Sequence, residues 1–311
     1  MKKFFHASVL ITIAVLALLP ILLPNSYIID IAIRIGLAAI TAIGLNLLMG
    51  FAGQVSIGHA AFVATGAYAS GILTAQFNWP PLLALVAAAV GVALLAYVIA
   101  KPILRLKGHS LTMATLGLGI IVNIVLINEV KWTGGPDGMS VGPLHVGPWA
   151  LEGEFQWYAL VAVLLVIAIV LSLNLYDSPA GRALRALHGS EVAAKVMGVD
   201  TAAFKVRVFV MSAVFASVAG SLSAHYSAFI TPHMASFMSS VELATMVVVG
   251  GMASTFGVVL GAALLTLLPQ VLGGLQEYKM VLFGLILMLT MIFLPKGMVP
   301  SLVQLFEKNR R

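Results

Sequence analysis

The sequence predicts an all-α polytopic integral membrane protein. Of its 311 residues, 61% are hydrophobic and only 9% are charged, and the mean hydropathy is +1.07. Soluble proteins carry about 25% charged residues. Apolar runs that approach the roughly 20 residues a helix needs to cross a bilayer recur along the whole chain. We therefore expect a single transmembrane domain over residues 1–311, with no soluble domain attached.

Ten apolar segments are candidate membrane segments. Residues 241–272 form an apolar run that is too long for one span, and glycines at 250 and 251 interrupt it, so we divide it into 241–249 and 255–272. The shorter piece either crosses the membrane or is re-entrant. The other eight segments are residues 7–23, 28–49, 55–73, 82–100, 111–127, 157–176, 208–230 and 281–294. Residues 7–23 resemble a secretory signal but are long and lack a clean cleavage site, so we expect a retained first span.

Lysine and arginine predict the orientation, because cytoplasmic loops carry an excess of both. The loop at residues 101–107, the loop at 177–207, the N-terminus and the C-terminus are basic. The basic residues concerned are Lys2, Lys3, Lys101, Arg105, Lys107, Arg182, Arg185, Lys195, Lys205, Arg207, Lys296, Lys308, Arg310 and Arg311. The loop at 129–156 carries Glu129, Asp137, Glu152 and Glu154 against one lysine, which fits the outer side. Both termini are then cytoplasmic, which requires an even number of crossings and favours ten.

Several function classes lack support in the sequence. The chain contains no cysteine, so disulfides and thiolate metal sites are excluded. It contains no phosphate-binding loop of the G-x-x-x-x-G-K-[ST] type, and its histidines show no metal-ligand spacing. The net charge of +6 lies in short loops and does not indicate nucleic acid. We expect no cofactor, no metal and no catalytic residues.

Two glycine-broken stretches lie inside apolar runs, and both indicate function. Residues 50–59 contain three glycines together with Gln54, Ser56 and His59, and residues 250–257 repeat a glycine break with small polar residues. Irregular backbone at membrane depth needs protein or a water-filled cavity to satisfy it. Paired breaks in two halves of a transporter point to its path. Close helix packing is the alternative for the glycines, whereas Gln54 and His59 favour function because buried polar groups are costly.

Three charged residues lie within apolar segments, and we expect each of them to have a structural role. Asp30 and Arg34 are four residues apart and are expected to form an ion pair at the membrane interface. Glu242 follows two serines and is expected in the first turn of the short helix, where an acid suits the helix dipole.

The cytoplasmic loop at 177–207 predicts two short helices. Ser178 and Ser190 are suited to cap their N-termini, with glycines at 189 and 198 as their ends. Val192 and Val196 share one face of the second helix. The residues alone leave two roles open for this helix, which are contact with a soluble partner and attachment to the membrane surface.

Five motifs closely resemble those of branched-chain amino acid ABC importer permeases. They are residues 44–62, the Thr-Gly-Gly-Pro-Asp-Gly-Met stretch at 133–139, and residues 181–198, 242–257 and 294–300. Within 181–198, Glu191, Ala193, Ala194 and Gly198 match the family's E-A-A…G pattern with Val192 inserted. The 133–139 loop fits the subunit that carries T-G-G-x-[DN]-G rather than its shorter sister permease.

The resemblance implies a subunit without its own ATPase site and assigns three groups of residues. Its implied partners are a second permease subunit, two cytoplasmic ABC ATPases, a periplasmic solute-binding protein and the lipid of a bacterial inner membrane. The expected path residues are Asn46, Gly50, Gly53, Gln54, Ser56, Gly58, His59, Gly250, Gly251, Ser254 and Thr255. The expected ATPase-coupling residues are Arg182, Arg185, Ser190, Glu191, Ala193, Ala194, Val196, Met197 and Gly198. The expected contacts of the binding protein are Thr133, Gly134, Gly135, Asp137 and Gly138.

The implied solutes are leucine, isoleucine and valine. Related permeases for urea and short amides share the pattern, so the motifs leave those solutes as an alternative. A secondary transporter is a further alternative, although the sequence offers no convincing ion site within a span. A membrane enzyme has no motif in its favour.

Overall fold

The computed structural model describes residues 2–22, 25–106, 108–146, 149–151, 153–271, 279–294, 297–299 and 301. Some residues used in the topology prediction lie outside these ranges. They are Lys107, Glu152, Lys296, Lys308, Arg310 and Arg311, together with residues 23 and 272 at the ends of two predicted spans and residues 295, 296 and 300 of the last motif.

The described residues form thirteen α-helices. The helices are α1 (Lys2–Leu22), α2 (Ser26–Asn46), α3 (Ala60–Ala75), α4 (Pro81–Ile103), α5 (His109–Asn128), α6 (Val130–Thr133), α7 (Glu154–Asp177), α8 (Pro179–Gly189), α9 (Glu191–Val196), α10 (Thr201–Ser227), α11 (Phe237–Gly250), α12 (Thr255–Val271) and α13 (Lys279–Phe293). A π-helical turn, Leu47–Phe51, extends α2, and two 3₁₀ turns occupy Gly135–Asp137 and Pro232–Ala235.

The helices confirm a helical, multi-span membrane protein. Five helical stretches are long and apolar enough to cross a bilayer, namely Ser26–Phe51, Pro81–Ile103, His109–Asn128, Glu154–Asp177 and Thr201–Ser227. Shorter apolar helices are Ser8–Pro20, Ala60–Ala75, Phe237–Gly250 and Thr255–Gln270. Each of the ten predicted segments overlaps one α-helix.

Three predicted boundaries are wrong. The third segment was expected from residue 55, but its helix begins at Ala60. The seventh was expected over 208–230, but α10 runs from Thr201 to Ser227. Helix α11 begins at Phe237, because the Ser236 side chain accepts a hydrogen bond from the Ser239 amide and caps the helix there. Glu242 therefore lies beyond the first turn, which corrects its predicted role.

Short strands, which the all-α prediction did not include, join the loop at 129–156 to the end of α10. Strand β1 (Met139–Ser140) pairs antiparallel with β4 (Phe229–Ile230), with Met139 opposite Ile230. Strands β2 (His145–Val146) and β3 (Trp149–Ala150) form a second pair within the loop. The His225 ring also lies 2.8 Å from the Gly142 carbonyl oxygen and 2.9 Å from the Ser70 hydroxyl. These contacts fix the loop at one end of the helix bundle.

Helix α10 lies at the centre of the structure and packs against α2, α3 and α4. Small residues allow the backbones to approach closely. The Ser212 hydroxyl donates to the Gly44 carbonyl at 2.6 Å, and the Ser221 hydroxyl donates to the Gly66 carbonyl at 2.9 Å. Gly220 faces the Val63 carbonyl so closely that a Cβ would overlap it. In a membrane, such small-residue contacts are a principal source of helix association.

The contact at Gly220 predicts a stability difference between two glycine variants. Gly220→Ala should destabilise the protein by about 1–3 kcal/mol, because α3 and α10 must separate to admit the methyl group. Gly117→Ala is the matched control, since nothing lies within 4 Å of a Cβ at that helical position. Thermal unfolding of the purified protein in detergent measures both. Equal melting temperatures for the two variants would contradict the packing described here.

Candidate functional site

The first glycine-broken stretch forms a non-helical linker, residues 52–59, between the π-helical turn and α3. Gly53 has φ +66°, a conformation that favours glycine. The Gln54 amide donates to the Leu48 carbonyl at 3.0 Å, and the Gln54 side chain donates to the Ala52 carbonyl at 3.2 Å. The linker is thus held locally at its start, with Gln54 folded back on its own backbone.

Three helices hold the end of the linker. The Ile57 amide donates to the Thr115 hydroxyl of α5 at 3.2 Å, and the Ala60 amide donates to the Ser240 hydroxyl of α11 at 3.2 Å. The His59 ring Nε2 lies 3.4 Å from the Ser212 hydroxyl of α10. On each helix the contact is made by a side chain. The helices could therefore move away from the linker and lose these contacts without losing any of their own backbone hydrogen bonds.

Three of the predicted path residues in this stretch are packed. Gly58 lies against the Thr115 backbone, where a Cβ would overlap it. Ser56 and His59 are buried, and among the described residues the Ser56 hydroxyl and His59 Nδ1 make no hydrogen bond. Buried polar groups of this kind are uncommon and often have a functional reason.

The two glycine-broken stretches are in contact, although the chain separates them by some two hundred residues. The buried Asn46 side chain accepts a hydrogen bond from the Ala253 amide through Oδ1 at 2.9 Å. Gly50 packs against the Ala253 backbone, where a Cβ would overlap it. A side chain at the end of α2, just before the first stretch, therefore accepts a hydrogen bond from the non-helical backbone of the second.

The other predicted path residues of the second stretch cap and pack α12. Gly250 lies against the Gly257 carbonyl, and Gly251 has φ +112°. The Ser254 hydroxyl accepts from the Gly257 amide at 3.1 Å, and the Thr255 hydroxyl lies 3.0 Å from that of Ser172. The geometry of this stretch is that of a helix junction.

A cavity of about 300 Å³ lies between α2, α3, α10 and α11, and we call it the Arg34 cavity. Of the described residues that line it, none belongs to the predicted path. Its polar lining consists of Arg34, Thr41, Ser223, Tyr226, Ser227, Ser239 and Glu242, and apolar residues such as Leu37, Val63 and Met246 complete it. Both a cation and an anion thus border one cavity.

The structure confirms the predicted ion pair between Asp30 and Arg34. It also shows that Arg34 borders a cavity, which the sequence did not indicate. Arg34 Nε lies 2.9 Å from Asp30 Oδ2, and the Tyr226 hydroxyl donates to the same carboxylate. The guanidinium also lies 5.9 Å from the centre of the Tyr226 ring. Sequence reasoning found the pair but missed the cavity, because the spacing of two residues on α2 says nothing about α10 and α11.

A second cavity, of about 370 Å³, lies at the other end of α10, and we call it the Gln54 cavity. It is lined by Gly53, Gln54, Val55, Gly108, His109, Leu111, Thr112, Glu191 and Lys205. Two predicted path residues, Gly53 and Gln54, therefore border an opening. Gly53 also lies beside the His188 ring of α8.

The linker stands between the two cavities. Lys205 borders the Gln54 cavity and Ser223 borders the Arg34 cavity, and these residues are about 27 Å apart along α10 at a rise of roughly 1.5 Å per residue. His59 meets α10 between them at Ser212. Residue 55 lines one cavity and residue 60 lines the other, so residues 56–59, of which Ile57 is half-buried and the rest are buried, lie between the two cavities along the chain.

The basic loop folds as the sequence predicts. The Ser178 hydroxyl accepts from the Gly181 amide at 3.1 Å, and the Ser190 hydroxyl accepts from the Ala193 amide at 3.2 Å. Gly198 has φ +80° just after α9. Both N-caps are therefore confirmed, and Gly198 supplies the left-handed conformation that ends a helix.

Helix α9 presents an apolar surface to the outside. Val192 is 68% exposed, and Val196 and Met197 are each 82% exposed, whereas Ala194 is buried. Ala193 and Arg182 are also exposed, and Arg185 donates to the Tyr176 carbonyl at 2.6 Å. We call Val192, Val196 and Met197 the α9 apolar surface.

The acidic residue of α9 anchors the helix to α10. Glu191 Oε2 lies 2.8 Å from Lys205 Nζ, and Glu191 Oε1 lies 3.5 Å from Lys195 Nζ. Lys205 is buried and Glu191 is half-buried, so removing the carboxylate would leave the lysine charge without this partner in a site that water reaches poorly. Sequence reasoning assigned Lys205 to topology only, because its partner lies in a different helix.

Hydrogen bonds of the buried Thr133 hydroxyl fix the loop that carries the Thr-Gly-Gly motif. The Thr133 hydroxyl donates to the Leu126 carbonyl at 2.7 Å and accepts from the Gly135 amide at 3.1 Å. Thr133 and Gly135 are buried, Gly134 is half-buried with φ +77°, and Gly138 packs against the Ile230 carbonyl. Asp137 is exposed. Of the five predicted contact residues, Asp137 is the one whose side chain faces outward.

A helical membrane protein in which a non-helical linker separates two cavities has the architecture of a transport protein. In the part of the chain that the structure describes, no group of three His, Asp or Glu residues could hold a metal ion.

Comparison with known proteins identifies the family. A family model described as "Branched-chain amino acid transport system / permease component" matches residues 27–291. The chain belongs to this family of transport permeases, which are not enzymes.

Individual relatives agree with this assignment. The chain is 34% identical to the high-affinity branched-chain amino acid transport system permease protein LivM of Escherichia coli strain K12, over 88% of this chain and 70% of that protein. It is 25% identical to LivH of Salmonella typhimurium strain LT2, over 84% of this chain and 90% of that protein. It is 23% identical to a probable LivM of Methanocaldococcus jannaschii, over 86% and 91% respectively. No solved structure matches.

Proposed function

We propose that the chain is a permease subunit of an ATP-driven ABC importer that moves leucine, isoleucine and valine across the bacterial inner membrane. Its partners are a second permease subunit, two cytoplasmic ATPases and a periplasmic solute-binding protein. The observation that carries the proposal is the linker between two cavities at opposite ends of α10. Alternating access requires such a barrier, one that side-chain contacts can release.

The proposed topology has one domain, residues 1–311, with ten membrane segments and both termini in the cytoplasm. Helix α11 counts as one of the ten, as a short crossing. Lys101 and Arg105 border the same cavity as Lys195 of the loop at 177–207, so these two basic loops meet at one end of the bundle. The loop at 129–156 meets the opposite end of α10 through β1 and β4. This grouping supports a cytoplasmic side for the basic loops and a periplasmic side for residues 129–156.

In the proposed cycle, the Arg34 cavity opens to the periplasm and the Gln54 cavity to the cytoplasm. Movement of α5, α10 and α11 withdraws Thr115, Ser212 and Ser240 from the linker, and the solute passes where residues 56–59 now pack. The predicted path residues act as the barrier and its supports, with Gln54 and Gly53 on its inner edge. The exposed Asp137 faces the binding protein from the loop that Thr133 shapes.

The ATPase acts on this barrier through α9. An exposed apolar surface on a short helix of the basic loop is suited to a groove in a soluble partner. The Glu191–Lys205 pair then transmits the movement of α9 to α10, which contacts the linker at Ser212. Arg182 and Arg185, on the neighbouring α8, border the same docking site.

Reversing the Glu191–Lys205 pair tests this coupling. Lys205→Glu or Glu191→Lys alone should abolish leucine uptake by the assembled importer, because each places two like charges together at a buried site. The double variant should recover uptake, because it restores an ion pair between α9 and α10. ATPase activity and subunit association are measured in parallel. A double variant no better than either single one would contradict the role of the pair.

The lining of the Arg34 cavity favours a zwitterionic solute over urea or a short amide. Arg34, which is paired with Asp30, borders the cavity together with Glu242, so a solute with an α-carboxylate and an α-ammonium group would lie near both charges. Leu37, Val63 and Met246 offer an apolar lining to a branched side chain. A neutral amide carries no charge of its own to pair with either residue.

Glu242→Gln and Arg34→Gln should each lower leucine uptake by the assembled importer about ten-fold or more, because a hydrogen bond to a charged group contributes about 1.5–3 kcal/mol. Glu129→Gln, an exposed acid at the same end of the bundle, is the matched control. Normal leucine uptake by Glu242→Gln, or accumulation of urea without leucine by the unaltered importer, would contradict the amino-acid assignment. Uptake that persists after ATP depletion while a proton gradient remains would instead favour a secondary transporter.

A further inference from the structure

A third cavity, of about 620 Å³, lies between the end of α4, the start of α10 and α9, and we call it the Arg105 cavity. Neither the path nor the coupling role accounts for it. Its described lining holds five basic side chains and one acid, Glu191. The basic residues are Lys101, Arg105, Lys195, Lys205 and Arg207.

The charges in this cavity are unbalanced. Lys195 and Lys205 both lie within 4 Å of the single carboxylate of Glu191. Lys101 lies 4.7 Å from the centre of the Tyr97 ring and Arg207 lies 5.4 Å from that of Phe204, so both are directed along aromatic faces. Arg105 is exposed beside them. The cavity therefore favours an anion.

A buried hydroxyl supplies a second, independent sign of a ligand. Thr201 lines the cavity at the first position of α10 and is only 1% exposed. Among the described residues, its hydroxyl makes no hydrogen bond. A buried hydroxyl without a partner carries a desolvation cost, which a bound oxyanion would remove.

An apolar stripe leads from the membrane into this cavity. Val86, Val90, Leu94, Tyr97 and Lys101 follow one another along α4 at intervals of three or four residues, so they share one face. Val86, Val90 and Leu94 are between 54% and 62% exposed, and Tyr97 is 47% exposed. Exposed apolar side chains on a membrane helix face acyl chains, and here the same face ends in basic residues.

From this arrangement we propose that the Arg105 cavity binds the headgroup of an anionic phospholipid, whose acyl chains lie along the α4 stripe. The phosphate lies among Lys101, Arg105 and Arg207 and accepts a hydrogen bond from the Thr201 hydroxyl. Basic pockets between membrane helices are suited to anionic headgroups. The acyl stripe distinguishes a lipid from a free phosphate or a soluble acidic partner, neither of which would use it.

The site borders the coupling contact. Glu191 and Lys205 line the Arg105 cavity and also form the pair between α9 and α10. The α9 apolar surface lies at other positions of the same helix, so the lipid and the ATPase can bind together. An anionic headgroup therefore stabilises the basic side of this junction while leaving the docking surface open.

Native mass spectrometry of the purified full-length chain tests the proposal, with phosphatidylglycerol and phosphatidylcholine added in turn. The unaltered chain should retain phosphatidylglycerol in preference to phosphatidylcholine. In the Lys101→Gln/Arg105→Gln variant, affinity for phosphatidylglycerol should fall about 30-fold, since each basic side chain near an anionic headgroup contributes roughly a five-fold factor. Lys131→Gln, an exposed lysine at the other end of the bundle, should leave the affinity unchanged.

Thr201→Val keeps every charge and the shape of the side chain, and it should lower the affinity several-fold even if the double variant folds poorly. Equal retention of the two lipids, or equal retention by all variants, would overturn the proposal. Displacement of phosphatidylglycerol by millimolar inorganic phosphate would also overturn it, because the cavity would then be a free-anion site.

Discussion

The rest of this structure depends on hydrogen bonds to backbone amides that do not belong to a helix and that lipid cannot satisfy. A helix satisfies its own amides, but residues 52–59 and 251–254 are not helical and lipid offers them no partner. Side chains from other segments supply partners here. Thr115 accepts from Ile57 of the first stretch, Ser240 accepts from Ala60 directly after it, and Asn46 accepts from Ala253 of the second stretch. The conformation of the linker therefore depends on the positions of those helices, as the proposed gating role requires.

Helix α10 connects the linker to the surface that the ATPase is proposed to use. Helix α10 carries Lys205 near one end, Ser212 near its middle and Tyr226 near the other end. These residues contact Glu191 of α9, His59 of the linker and Asp30 beside the Arg34 cavity, respectively. One helix thus contacts α9, the linker and a residue beside the Arg34 cavity, which is the connection that the proposed coupling needs.

Local features of the fold could be predicted from the sequence, and distant contacts could not. The caps at Ser178 and Ser190 and the break near residue 53 follow from residue type and spacing. The hydrogen bond between Asn46 and Ala253 and the pair between Glu191 and Lys205 each join different helices, and no periodicity encodes them. Glu242 illustrates the limit, since Ser236 caps α11 earlier than the two nearer serines indicated. Its place on the Arg34 cavity depends on how α11 packs against α2 and α10.

The central claim is that residues 56–59 close one cavity from the other and move when the ATPases bind nucleotide. The chain contains no cysteine, so Ser223→Cys in the Arg34 cavity and Gln54→Cys in the Gln54 cavity each introduce a single reactive thiol. Labelling of each variant by a membrane-impermeant maleimide is measured in the assembled importer, with and without a non-hydrolysable ATP analogue, from both sides of the membrane. The account predicts reciprocal change, with the analogue raising the labelling of one position and lowering that of the other. Simultaneous labelling of both positions in one nucleotide state, or no response of either to the analogue, would contradict it.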